Sequence, residues 1–120
     1  MKNNWKKLAT EAIDSLSPKE REKSIVYLEQ RIIPAGEVLS WPGVQHRFDE
    51  PVVIAFVDLE PALNWTHRAR YIVLNAQGAI FQTLNVDKPP FLSGVSPLLR
   101  VIHRGTEAPL WAAVAPDIEQ

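Results

Sequence analysis

A chain of 120 residues, 46% hydrophobic and 22% charged, suits one globular domain with a single shared core. Thirteen basic residues against fourteen acidic ones leave a formal charge of -1, so no overall basic surface exists to hold a phosphate backbone. The absence of cysteine excludes disulfides, thiol nucleophiles and thiolate metal sites.

Trp5, Leu8, Ala9, Ala12, Ile13 and Leu16 recur at helical spacing and predict an amphipathic first helix. In the following "SPKE", Ser17 is a helix cap, Pro18 suits the first helical position and Glu20 completes a capping box. The second helix is expected to bury Ile25, Leu28 and Ile32 and to end at Pro34 and Gly36. Residues 34 to 51 hold three prolines and two glycines and read as loop, with a short strand at Glu37 to Trp41.

"VVIAFVDL" from Val52 is apolar on both alternating faces, as a central covered strand requires. "ARYIVLN" from Ala69 and "AIFQTLNV" from Ala79 flank the turn "NAQG", in which Gly78 can take positive φ. Ile80, Leu84 and Val86 are expected on one face of the returning strand. "DKPPFLSGVSP" is an extended connector. "LLRVIHR" from Leu98 predicts a further strand, "PLWAAVA" from Pro109 a strand or a short helix, and "PDIEQ" a frayed tail. The expected architecture is α+β: an N-terminal pair of helices over 1–33, packed on a four- to five-stranded, mostly antiparallel sheet formed by 34–120. The N-terminus has no signal-like apolar core. The longest apolar run, Val52 to Val57, is far below the ~20 residues of a membrane helix, so a cytoplasmic protein away from membranes is expected.

The densest polar chemistry is "DLEPALNWTHRARY", Asp58 to Tyr71. A connection from Glu60 to Arg68 is longer than most hairpin loops, and long loops at strand ends often carry binding groups. Asn64 supplies a donor and an acceptor, Trp65 a flat apolar wall, and His67 a proton-transfer group. The same loop has an architectural explanation, with Trp65 folded over the sheet edge and Arg68 and Arg70 paired with carboxylates. Asp58 interrupts an apolar strand, so a buried carboxylate there needs a partner, for which Arg68 and Arg70 are the nearest candidates.

The pattern Asn64-Trp65-x-His67-x-x-Arg70-Tyr71 after "FVDLEP" resembles a segment of small uncharacterised bacterial proteins. The resemblance covers Ala55 to Gly78; it implies a bacterial source and a recurrent loop, and it carries no activity.

Other chemistries find little support. His46, His67 and His103 have no metal-ligand spacing, so no metal and no cofactor are expected. Ser40, Ser93 and Ser96 lie outside any nucleophile-elbow motif, and Asp49 with Glu50 reads as a solvated acidic pair. Arg68 and Arg70 beside an indole could stack on a base, but the neighbouring acids argue against nucleic acid. The favoured reading is a non-enzymatic binding module for a protein or small molecule, with Asn64, Trp65, His67, Arg70 and Trp41 as contacts and Pro89 to Phe91 as a further apolar surface. Loop tryptophans and exposed strand edges also suit a homodimer. The alternative is a small hydrolase-like enzyme with His67 as general base, Asp58 or Glu60 orienting it, and Asn64 or Arg70 holding an anion.

Overall fold

A computed structural model describes residues 4–41, 44–63, 68–87 and 96–119. Helix α1 spans Trp5–Asp14, and the Asn4 side chain caps it by accepting the Lys7 N–H at 3.1 Å. The predicted stripe is the buried one: Leu8, Ala12 and Leu16 leave solvent. Burying each leucine contributes about 2 kcal/mol. Helix α2, Pro18–Lys23, carries the predicted capping box: the Glu20 N–H donates to Ser17 Oγ and the Ser17 N–H to Glu20 Oε1.

The second helix is much shorter than predicted. It stops at Lys23, and Ile25–Glu29 forms strand β1. Ile25, Val26, Tyr27 and Leu28 are all buried, two toward each face of the sheet. A helix would turn this β-branched and aromatic run partly to solvent, whereas a strand covered on both sides hides all of it. The helix pair over the sheet is therefore only partly realised. α1 packs on the face, while α2 buries none of its own residues and docks near the end of the sheet.

Five antiparallel strands form the main sheet: β1, β4 (Val52–Asp58), β5 (Ala69–Asn75), β6 (Ile80–Val86) and β7 (Leu99–Arg104). Their order is β6-β5-β4-β1-β7, so β4 lies in the middle. All seven of its residues are buried, as its two-sided apolar pattern predicts. A separate ribbon pairs β2 (Val38–Trp41) with β3 (Val44–Arg47), which keeps the short strand expected near Glu37. One sheet face packs on Leu8 and Ala12 of α1 and on Leu16 just beyond it. The other stacks Tyr27, Phe56 and Tyr71 in a row, with ring centroids 6.1 and 5.3 Å apart. Ile33, Leu39 and Phe48 join that core, and Ala108, Ala112, Ala113 and Ala115 pack against it.

The β5–β6 hairpin forms as predicted, with Gly78 at φ 93° in its turn. Its side chains do not alternate as expected. Val73 faces Gln82 but Leu74 faces Ile80, so one extra residue, Phe81, bulges from β6. The bulge reverses the alternation. Ile80 consequently packs on the helix side, whereas Leu84 and Val86 pack on the opposite core. "PLWAAVA" becomes a single 3-10 turn, Leu110–Ala112. The tail beyond it is pinned as far as Ile118: Val101 N donates to Pro116 O at 2.8 Å, and Ile118 N to Val101 O at 2.9 Å. Among the described residues no helix is long and apolar enough to cross a membrane.

Candidate functional site

The connection between β4 and β5 leaves the sheet at Asp58 and returns at Ala69. Asn64, Trp65 and His67 lie outside the described residues, and so does the Pro89 to Phe91 surface. Trp41 ends β2, but its side chain is likewise outside them. The stems that carry the loop apex are described on both sides, and hydrogen bonds close them.

Asp58 is 3% exposed and turns its carboxylate to the chain that leaves the strand. Its Oδ1 accepts the Glu60 N–H at 3.1 Å, an Asx-type turn. Leu63 N then donates to Glu60 O at 3.0 Å, closing a turn with Pro61 in its second place, where a fixed φ is favourable. On the returning stem, Arg68 N donates to Glu60 Oε1 at 2.7 Å and Leu59 N to Arg68 O at 3.2 Å. The Glu60 carboxylate thus ties the two stems together, while Asp58 shapes the outgoing one. The carboxylate in an apolar strand, conspicuous in the sequence, shapes the exit of the chain.

Both arginines pair with carboxylates, as the architectural reading expects, but the carboxylates are Glu60 and Glu20 and not Asp58. Arg68 is 76% exposed in its side chain and approaches Glu60 through Nε at 3.5 Å, an ion pair of small value in water. Arg70 reaches across to α2: Nη1 and Nη2 donate to Glu20 Oε1 and Oε2 at 3.3 and 2.8 Å, while Nε donates to Asn85 Oδ1 at 3.0 Å. Neither guanidinium serves Asp58. Arg70, a candidate anion holder by sequence, is a clamp between α2, β5 and β6. Glu20, Arg68, Arg70 and Asn85 line a cleft of about 320 Å³ floored by Leu59 and Val86 beside the loop.

The clamp makes stability depend on acid. The Arg70 hydrogen bond, and then the Ser17 backbone N–H, hold the Glu20 carboxyl below its ordinary value near 4.5. A carboxyl lowered in the folded state stabilises fully above its unfolded value and ceases to do so as pH falls through the lowered one. Glu20→Gln is expected to flatten the acid limb of a plot of urea midpoint against pH, converging on the parent protein in strong acid.

The remaining histidines are architectural. His103 Nε2 donates to the Arg21 carbonyl at 2.7 Å, tying β7 to α2, and His46 stacks on Phe48 with centroids 5.8 Å apart. Among the described residues no three His, Asp or Glu side chains converge as a metal site would need.

One surface feature lay outside the sequence reading. Leu110 and Trp111 are 79% and 73% exposed, on a turn that backbone bonds fix from both sides. Ala112 N donates to Pro109 O, Val114 N to the Tyr27 hydroxyl at 3.3 Å, and the Arg104 guanidinium pairs with Asp117 at 2.8 Å. An indole held out by a rigid frame is the kind of anchor that interfaces use. The only sequence signal was a tryptophan in the short apolar run "PLWAAVA", which reads equally as a strand or a helix that buries it. No protein-family model, curated protein or solved structure matches the chain.

Proposed function

We propose that the chain is a non-enzymatic binding module that engages a protein or small-molecule partner through the loop 60–68. The observation that carries this reading is the stapled stem: across the base of the loop the Arg68 N–H donates to the Glu60 carboxylate at 2.7 Å and the Leu59 N–H to Arg68 O at 3.2 Å, while Asp58 fixes the exit of the chain by accepting the Glu60 N–H at 3.1 Å. A loop whose base is fixed loses less conformational freedom when its apex meets a partner. Asn64, Trp65 and His67 are the contact residues of that loop in this reading, with Trp41 as a further contact. The exposed Leu110 and Trp111 fit the same class of function as a second apolar contact.

A fragment library screened by amide NMR tests the reading. Ligands should shift resonances of residues 58–70, and Trp65→Ala should weaken them about tenfold or more while leaving the urea midpoint in place. Ligands that perturb only other surfaces, or keep their affinity in Trp65→Ala, would overturn it.

Asp58 supports a second reading, a small hydrolase-like enzyme with His67 as general base. A carboxylate that is 3% exposed at the foot of the loop whose sequence contains His67 is where an orienting acid would sit. His67→Ala decides between the two: loss of a hydrolytic turnover at unchanged stability favours the enzyme, and weaker ligand binding with no turnover in either protein favours the module.

A further inference from the structure

The two edges of the main sheet are treated differently. The β7 edge is closed, because Val101 exchanges backbone hydrogen bonds with Pro116 and Ile118. It also carries Arg100, His103 and Arg104. The β6 edge has no such cover among the described residues. Its seven residues, IFQTLNV, include no charge, proline or glycine, the usual devices that discourage strand-to-strand pairing.

The register identifies the groups that face outward. Leu59 N donates to Arg68 O, so the residues of β5 that bond to β4 are Arg70, Ile72 and Leu74. Ala69, Tyr71 and Val73 therefore bond toward β6, where they face Val86, Leu84 and Gln82. Thr83 and Asn85 turn their N–H and C=O groups away from the sheet, and no described residue hydrogen-bonds to them. The bulge at Phe81 limits the regular free edge to Gln82–Val86.

We infer that a second copy of this chain pairs antiparallel with β6, about a two-fold axis at Leu84, to make one continuous ten-stranded sheet. Thr83 then exchanges two backbone hydrogen bonds with Asn85 of the second copy, and the symmetry repeats them, giving four. Leu84 meets its own equivalent across the axis, where side chains approach closely, and Gln82 faces Val86. Leu84 and Val86, half-buried against the core in one copy, lose their remaining exposure. No like charges meet, because the strand has none. This self-complementarity favours the chain's own copy over an unrelated extended segment. The inference does not depend on the loop 60–68, whose two copies would emerge at opposite ends of the joined sheet.

Sedimentation of the full chain over a range of concentrations, with amide exchange, tests it. The mass should rise from 13.5 kDa toward twice that value, and the Thr83 and Asn85 amides should slow about tenfold or more at high concentration. Thr83→Pro deletes an outward N–H and should give a monomer that melts with the parent protein at dilutions where the parent is itself monomeric. Gln82→Pro deletes a bond to β5 and should lower stability. A mass of 13.5 kDa at all concentrations, or edge amides whose exchange ignores concentration, would overturn the proposal even if Thr83→Pro does not fold.

Discussion

Gly105→Ala is expected to destabilise the protein by about 3 kcal/mol or more, a cost at the upper end for added volume because backbone must move. Gly105 follows β7 and is buried, and its N–H donates to Ser24 O at 2.8 Å. A β-carbon there would strike the carbonyl groups of Glu22 and Arg21 at the end of α2. These are backbone atoms of a segment tied in place: Glu107 N bonds to Glu22 O, and His103 to Arg21 O. No side chain can swing aside to make room. A fall of about 10 °C or more in melting temperature should follow for a domain of this size. A melting temperature within a degree or two of the parent would show that α2 does not pack on this glycine. The expectation is specific to the position. Gly36, with φ 88° but open space around it, should tolerate added bulk and suffer only from its backbone conformation.

Tyr27 should separate packing from tethering. It is fully buried in β1, between β4 and β7, with its ring against Phe56 and its hydroxyl accepting the Val114 N–H. Tyr27→Ala removes the ring and leaves a cavity on the aromatic side of the sheet, at a cost of about 3–5 kcal/mol. Tyr27→Phe keeps the ring and loses only the hydroxyl, at about 1 kcal/mol for the hydrogen bond to Val114. The phenylalanine variant should therefore melt near the parent protein. Its effect should appear locally, as faster amide exchange at Val114 and greater mobility of Leu110 and Trp111. Burial drives the Tyr27 phenol up to about 12, so neither effect should vary with pH between 5 and 9 through this group. Equal losses in the two variants would mean that the hydroxyl, and not the ring, organises this part of the core.

Elements with local determinants were legible in the sequence. The capping box needs only Ser17, Pro18 and Glu20, and the hairpin needs only the turn before Gly78 between two alternating runs. β4 was legible because it is apolar throughout. β1 was not, because burial on both faces erases the two-residue period. Ile25, Leu28 and Ile32 then mimic a helical stripe, continued from a real helix start. The bulge at Phe81 has no signature in the sequence, and it moved Ile80 to the other face.

The candidate site divides in the same way. Asp58 stood out because an acid in an apolar strand needs a reason, and the reason is the Glu60 N–H two residues on. The partner of Arg70 lies fifty positions away in α2, beyond the reach of any local pattern. Glu20 was noticed for its cap but not for its second role, which only the packing of α2 near the end of the β4–β5 pair creates. The exposure of Trp111 depends on the 3-10 turn and the alanines beneath it, and composition treats a buried and a displayed indole alike.

The strand order also bears on how the chain is made. β1 sits between β4 and β7, and its register with β7 runs from Ile25 opposite Arg104 to Glu29 opposite Leu99. During translation, β1 leaves the ribosome long before β7 exists. Until then one flank of β1, with the tyrosine beneath it, stays open to whatever surrounds the nascent chain, including chaperones and other nascent chains. Slow decoding late in the message would prolong that interval, so the yield of folded protein should be more sensitive to the pace of translation there than at the hairpin, whose two strands are neighbours in time.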